Sequence, residues 1–502
     1  MTNILFDALF DPLREKSTPL LILQDGRIIS GQAFYGMITQ AAGALRDMGV
    51  NPGDRVAVQV DKSPTALAIY GAVVAIGAVF LPLNPAYQAE EMDYFIGNST
   101  PRVLICDPAK HDILAHVADA HGAVLQTLAA DGSGSFAQRM SGHSGELTVV
   151  PRQGDDLAAI LYTSGTTGRS KGAMLSHDNL LSNAQTLEQL WRFTDADVLL
   201  HALPVFHTHG LFVASNVALL AGAQMIYLPG FDAAQVVGLL PQATVMMGVP
   251  TFYTRLLALP NFDRALVAHM RLFVSGSAPL LAETHHAFEA RTGQKILERY
   301  GMTETNMNTS NPYDGERRAG TVGFPLPGVA LQIMQDGQAV GPGEVGVIEV
   351  RGPNVFQGYW QMPEKTREEL RADGWFITGD LGMRDGDGYV HIVGRAKDLI
   401  ITGGYNVYPK EVEMLLDDVP GVLESAVIGL PHPDFGEAVF AVMVAQKGAT
   451  LEPAAILDSL RPRLARFKQP KGLVVLDALP RNAMGKVQKA ELRKTFARQF
   501  DT

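Results

Sequence analysis

"LYTSGTTGRSKGAMLSH", residues 161–177, holds almost nothing in its middle but hydroxyls, glycines and one lysine. Glycine lets a backbone turn tightly and bring its N–H groups against a ligand, and Ser/Thr hydroxyls with a flexible ammonium add donors suited to phosphate oxygens. The chemistry of this loop points to a polyphosphate. Its spacing is not that of the common P-loop, which needs Gly-Lys followed by Ser or Thr, because Lys171 stands between Ser170 and Gly172. On composition alone a flexible linker is the competing reading. The flanks decide against it: "LAAILYT" (Leu157–Thr163) reads as a buried strand entering the loop, and residues 179–191, "NLLSNAQTLEQLW", as an amphipathic helix after it.

A chain of 502 residues exceeds what one hydrophobic core usually organises, so two or more domains are expected. With 47% hydrophobic and 19% charged residues, the composition is that of a soluble globular protein with an ample core. A net charge of −11 speaks against broad nucleic-acid binding, which normally shows as a basic excess. The single cysteine, Cys106, excludes an internal disulfide and most cysteine metal sites. The start, "MTNILFDALFDPLREK", has acidic residues where a signal peptide would carry basic ones, so a cytoplasmic location is expected. Residues 66–83, "ALAIYGAVVAIGAVFLPL", are uncharged and long enough to tempt a membrane assignment. Ser63 and Pro64 look like a helix cap and first turn, Gly77 like the helix end and "AVFLPL" like the next buried strand, so the stretch reads as soluble core and no membrane partner is expected. The same pattern recurs at residues 216–230, which suggests two similarly wound halves.

Up to about Met270 apolar strands and helices alternate, as in doubly wound α/β layers. From Gly323 the texture turns to short β-rich segments between Gly/Pro turns, the mark of a small barrel or meander. After about Lys397 come one helix, two strands and two further helices, a compact α+β unit. The expected organisation is therefore a large N-terminal domain, residues 1–396, of α/β subdomains plus a small β-barrel, and a smaller C-terminal domain, residues 397–502.

Four further motifs follow the loop in order: "ERYGMTET" (residues 298–305), "FITGDLG" (376–382), "GRAKDLIITGGYNVYPKEVE" (394–413) and "PRNAMGKVQKAELRK" (480–494). Together with the loop they resemble the acyl-adenylate-forming enzymes, the superfamily of acyl-CoA synthetases, luciferases and peptide-synthetase adenylation domains. The resemblance implies activation of a carboxylate with ATP, release of pyrophosphate, and transfer of the acyl group to CoA. One departure is Ser170, where many members carry proline. Such chemistry makes negative charge grow on phosphate oxygens, which fixed donors must meet. By that resemblance Thr163, Ser164, Gly165, Thr166, Thr167, Gly168 and Lys171 grip the phosphates, and Glu304 with Thr163 holds Mg²⁺. Ser277, Ala278 and Pro279, with Arg299, Tyr300, Gly301, Met302 and Thr303, wall the adenine and acyl pockets. Asp380 accepts from both ribose hydroxyls and Arg395 reinforces it. Lys486 bridges carboxylate and α-phosphate oxygens during adenylation. Rotation of the C-terminal domain about Lys397 then withdraws it and brings Gly403, Gly404 and Tyr405 to form the CoA channel. The domain is expected to be mobile for that reason.

The acid is read from residues 204–212, "PVFHTHGLF", and 244–257, "TVMMGVPTFYTRLL". His207 and His209 stand where amino-acid-activating relatives usually place an aspartate, which disfavours an amino acid. Arg255 is an odd lining for a fatty-acid tunnel. The pattern looks most like the branch of the superfamily that activates malonate and sometimes methylmalonate, with His207, Arg255, Ser277 and Met302 around the acyl group; another short or medium-chain acid is the alternative. Pro250 and Thr251 read as a first helical turn with Arg255 about a turn further along, near the positive end of a helix dipole, a poor place for a cation unless an anion is near. An ADP-forming kinase or ATPase, or a non-catalytic nucleotide-binding regulator, is the reading from another class; AMP and pyrophosphate among the products separate a ligase from both. A lysine-acylating regulator acting on Lys486 would switch the enzyme off by removing its charge.

If Lys486 serves only adenylation, Lys486→Ala loses on the order of 10²-fold or more in acyl-AMP formation, the scale of one transition-state charge donor. Thioester formation from supplied acyl-AMP survives in the same variant, and single-turnover assays of the two half-reactions measure both.

Overall fold

The strand Leu157–Thr163 forms as its apolar run requires, but the chain does not pass from the loop into the helix. Lys171–Ser176 is a second strand that runs back antiparallel to the first, in a register that sets Thr163 opposite Lys171. The phosphate loop is thus the connection of a hairpin, with two of its chemical groups at the root. The helix starts only afterwards, at His177–Leu190, where Ser176 accepts from the Asn179 N–H and the Asn179 side chain accepts from the Ser176 N–H in a reciprocal cap. The computed structural model describes residues 2–163, 170–402, 405–482 and 485–500, and of 405 and 406 the backbone.

Two compact units make up the chain. The larger holds the residues up to Ala330 together with Val350–Phe376, and the smaller holds Leu331–Glu349 and Ile377–Thr502. The small unit therefore includes the segment around Lys397 and most of the β-rich stretch before it.

Inside the larger unit lie two doubly wound sheets. One has six strands, in the order Val124–Thr127, Val103–Cys106, Arg55–Gln59, Val79–Pro82, Leu157–Thr163, Lys171–Ser176, parallel except for the final hairpin. The other has nine, with a parallel centre that includes Val198–His201, Val245–Gly248, Leu272–Ser275 and Leu297–Met302 and antiparallel edges. Strands buried on both faces need near-continuous apolar sequence, and Leu272–Ser275 and Val245–Gly248 are buried at every position. The stretch that tempts a membrane assignment is the helix Pro64–Ala75 followed by the strand Val79–Pro82, with Ser63 capping through its side chain and Gly77 at φ +71°. Its echo is the short helix Asn216–Leu220 and the strand Gln224–Tyr227, which belongs to the other sheet. No helix among the described residues is long and apolar enough to cross a membrane.

The β-rich stretch forms a five-stranded sheet that includes Gly346–Arg351, Phe376–Arg384 and Val390–Arg395. Beyond it the long hairpin Val422–His432 and Gly436–Ala445 packs the helix Pro409–Asp417 through Val412 and Leu416, and takes Gly472–Leu476 as a further parallel strand.

His177 opens its helix fully buried, and both ring nitrogens lack a hydrogen-bond partner among the described residues. Burial lowers its pKa to about 4. A base with a depressed folded pKa contributes its full stability above the unfolded value of about 6.5 and loses it as the pH falls from there toward the folded pKa. His177→Leu is expected to remove about 3 kcal/mol of acid sensitivity between those limits, read from denaturant unfolding at a series of pH values.

Candidate active site

Glu304 sits on the tight turn between the antiparallel strands Leu297–Met302 and Asn306–Ser310. It is buried, not a surface carboxylate. Gly301 is required beside it, because a Cβ there would meet the Asn306 carbonyl oxygen at 1.9 Å. The Tyr359 hydroxyl lies 3.0 Å from Glu304 Oε1 and 2.5 Å from Glu369 Oε2. Burial, with both carboxylates, raises the Tyr359 pKa, so the phenol stays protonated. Lys171 joins the same group: Nζ donates to both Glu369 oxygens at 3.0 and 3.1 Å and to the Tyr359 hydroxyl at 3.0 Å. Lys171 and Glu304, 133 residues apart in sequence by subtraction of their numbers, thus share one phenol.

A second group surrounds "GSAP". Arg299 leaves its strand with its guanidinium packed on Gly276, where an added Cβ would meet Cζ at 2.2 Å. The side chain is buried, and Nε and Nη2 have no hydrogen-bond partner among the described residues. Burial draws its pKa down to about 9. Ser277 follows at φ +71°, a strained conformation for a non-glycine, and its Oγ lies 3.1 Å from His209 Nδ1. His209 Nε2 and Ser275 Oγ are buried without partners among the described residues. Burial, then the charge of Arg299, holds the His209 pKa well below its ordinary value, so the ring is neutral. His207 is half-buried, and its Nδ1 accepts from the His209 N–H at 3.4 Å. Ala278, Tyr300, Met302 and Thr303 are half-buried around this group and the adjoining turn, and Pro279 is exposed.

Arg255 is placed otherwise than its sequence argument requires. The helix Pro250–Leu257 has only eight residues, so Arg255 falls in its last turn, where the dipole favours a cation, and its side chain is exposed. The dipole reason for an anion beside it is therefore withdrawn. Arg299, by contrast, is buried.

The small unit carries its own group. Asp380 and Arg395 face each other across the antiparallel pair Phe376–Arg384 and Val390–Arg395, and Arg395 Nε is 2.6 Å from the buried Asp380 Oδ1. Lys397 is exposed on the short turn Ala396–Asp398. Asp398 is held by Arg493 at 2.6 Å, which ties this turn to the helix Lys489–Thr495. Lys486 is exposed on a turn braced by Asn482, whose Oδ1 accepts from the Lys486 N–H at 2.9 Å, and it lies within electrostatic reach of Arg395 and Asp380. Ser164, Gly165, Thr166, Thr167, Gly168, Gly403 and Gly404 lie outside the described residues, and Tyr405 is described as backbone of the strand Tyr405–Val407. Thr163 is half-buried at the hairpin root.

Sequence reasoning missed Tyr359, Glu369 and the unpaired state of Arg299. No sequence signal pointed there: "LERYG" sets Glu298 beside Arg299, and which charges pair is decided only in the fold.

The profile of the AMP-binding enzyme family matches residues 13–360, and that of the AMP-binding enzyme C-terminal domain matches residues 411–486. The chain is 33% identical over 548 residues to the malonate–CoA ligase of Arabidopsis thaliana, covering 98% of this chain and 89% of that one. Among solved structures, ATP-bound MatB from Rhodopseudomonas palustris superposes with a TM-score of 0.98 at 55% identity over the whole of both chains. A benzoate CoA ligase from Burkholderia xenovorans LB400 superposes with a TM-score of 0.88 at 27% identity, over 97% of this chain and 99% of that one.

Gly276→Ala forces the Arg299 guanidinium to move. It is expected to cost ~1–3 kcal/mol of stability through overpacking and to lower kcat/KM far more than the stability loss alone implies, as thermal unfolding and steady-state assays together will show.

Proposed function

The chain belongs to the AMP-binding enzyme family as an AMP-forming acyl-CoA synthetase that uses ATP, CoA and a carboxylic acid, and from that premise we propose that the acid is malonate, with methylmalonate as a second substrate. One observation carries the choice: Arg299 is a buried guanidinium whose Nε and Nη2, like the adjoining His209 Nε2 and Ser275 Oγ, have no partner among the described residues. A monoacid leaves that charge uncompensated, whereas the distal carboxylate of a small diacid answers it. The malonate–CoA ligase of Arabidopsis thaliana supports the same reading.

Adenylation joins the substrate carboxylate to the α-phosphorus and expels pyrophosphate. Lys171 meets the growing charge on the leaving phosphates, with Ser164, Gly165, Thr166, Thr167 and Gly168 supplying loop donors. Asp380, oriented by Arg395, accepts from the ribose hydroxyls, and Lys486 bridges the reacting carboxylate and α-phosphate. Ser277, Ala278, Pro279, Tyr300, Gly301 and Thr303 bound the adenine, while His207 and Met302 border the acyl group. Glu304 fits a hard cation, being a buried carboxylate near Lys171, and Thr163 adds a hydroxyl at the hairpin root. Mg²⁺ held by these two would neutralise phosphate charge, and since the described residues contain no cluster of three acidic, His or Cys ligands, phosphate and water would complete its shell. In the second half-reaction the small domain, expected to begin at Lys397, turns on that residue, Lys486 withdraws, and Gly403, Gly404 and Tyr405 border the path by which the CoA thiol attacks the acyl carbon and releases AMP. Exposure of Lys486 leaves it open to an acylating enzyme, and the lone, buried Cys106 suits the reducing cytoplasm.

Truncating one partner of a buried, hydrogen-bonded charge pair costs ~2–5 kcal/mol, or roughly thirty- to several-thousand-fold. Arg299→Met is therefore expected to lose malonate by at least the lower figure in kcat/KM while butyrate loses little or gains. Arg255→Ala, measured in parallel, tests the exposed arginine; a selective loss of malonate there and not at Arg299 would return the distal carboxylate to Arg255.

A further inference from the structure

We propose that Glu369 is a resident counter-ion of Lys171, which an incoming polyphosphate must displace and which helps expel pyrophosphate when the leaving group departs. The proposal rests on the reading that Lys171 meets phosphate, and it concerns a residue that touches no substrate.

An ammonium has three N–H donors. Those of Lys171 meet three acceptors, both Glu369 oxygens at 3.0 and 3.1 Å and the Tyr359 hydroxyl at 3.0 Å. The ammonium also stands 4.1 Å from the Tyr359 ring centroid. In this arrangement no donor is left for a phosphate, and a carboxylate occupies the place a phosphate oxygen would take. Binding is thus an exchange of one oxyanion for another on the same ammonium.

The exchange is cheap in one respect, because Glu369 is not stranded by it. Lys365 Nζ lies 3.0 Å from Glu369 Oε1, and the Tyr359 hydroxyl lies 2.5 Å from Oε2. Both partners sit on the same side of the exchange as Glu369 and need not move. Burial pushes the Glu369 pKa up, but hydrogen bonds from Tyr359, Lys365 and Lys171 outweigh it, so the carboxylate is charged when the ammonium is there to hold. Tyr359 has one proton for two carboxylates, Glu304 and Glu369. When Lys171 turns to phosphate, that proton can remain with Glu369, so the phenol no longer donates to Glu304. In the reverse direction the returning carboxylate competes with bound pyrophosphate for Lys171. Glu369 therefore weakens the hold on nucleotide and product alike, which keeps the leaving group from becoming a trap.

The test measures binding of inorganic pyrophosphate with Mg²⁺ to the full-length enzyme by calorimetry. Removing the charge without changing the shape, Glu369→Gln, is expected to tighten pyrophosphate about ten-fold, the lower end of measured couplings between close charge pairs, and to lower KM for ATP in the same sense. Glu369→Asp keeps the charge and is expected to stay within about three-fold of the parent. A merely structural Glu369 would lower the unfolding temperature and leave pyrophosphate binding unchanged or weaker. Equal or weaker binding in Glu369→Gln with an unchanged unfolding temperature overturns the proposal, and so does tightening in Glu369→Asp as large as in Glu369→Gln, which decides the matter should the Gln variant fold poorly. Lys171→Met separates the levels: loss of pyrophosphate binding there upholds the phosphate role of Lys171 whatever Glu369 does, and its retention removes that role and the exchange with it.

Discussion

Arg299 holds a positive charge inside the larger unit with no carboxylate among the described residues to answer it, and its surroundings are arranged around that cost. A contrast within the same unit is Arg271, a half-buried arginine that finds its counter-ion in the fold. Arg271 forms a fork on the buried Asp197, with Nε and Nη2 each 2.7 Å from a carboxylate oxygen. Such a pair closes its own electrostatic account. Arg299 Nε and Nη2 are left without a partner among the described residues, on a glycine where an added Cβ would displace the guanidinium, beside a serine in a strained backbone conformation and a histidine held neutral by burial. Unanswered buried charge destabilises a fold, and its persistence next to strained backbone is the signature of a site shaped for a ligand rather than for stability.

The histidine is placed through a second buried basic side chain. Lys62 donates to the His201 carbonyl at 2.7 Å and lies 2.8 Å from His201 Nδ1, and burial holds its pKa well below the ordinary lysine value. His201 Nε2 in turn lies 2.9 Å from the Gly210 carbonyl and 3.1 Å from Ser215 Oγ. Gly210 and Ser215 belong to the π-helix His209–Ser215, a wide turn that is uncommon and concentrates at functional sites. A strand end, a lysine from the other sheet and a distorted helix therefore fix where His209 meets Ser277. The proposed acyl side of the site is built by contacts between residues far apart in sequence, and the proposed phosphate side by a hairpin root, a turn and a phenol.

In the smaller unit the governing device is register. Antiparallel pairing sets Asp380 opposite Arg395, so the carboxylate is oriented by a neighbour that the sheet itself supplies. The Lys486 N–H is held locally by Asn482 Oδ1, whereas the turn at Ala396–Asp398 is tied by Arg493 from the far end of the chain, and both Lys486 and Lys397 are exposed.

By itself the sequence determined the α/β character, the strand Leu157–Thr163, the capped helix and strand that mimic a membrane span, and the ordered motifs that mark the family. These are local: periodicity, caps and glycine punctuation act within a few residues, and ordered motifs survive as strings. Tertiary structure decided the rest. The strand Lys171–Ser176 has the length and composition of loop exit and is a strand because Leu157–Thr163 on one edge and residues 357–360 on the other take up its backbone groups. Arg255 lost its argument because helix length, set by packing, put it in the last turn, and the division of the chain into compact units follows contacts rather than texture. Whether a charge is paired is invisible in one dimension: Arg271 and Arg299 look alike in the sequence, and only the fold brings an aspartate to the first and none among the described residues to the second, because counter-ions are chosen by distance in space.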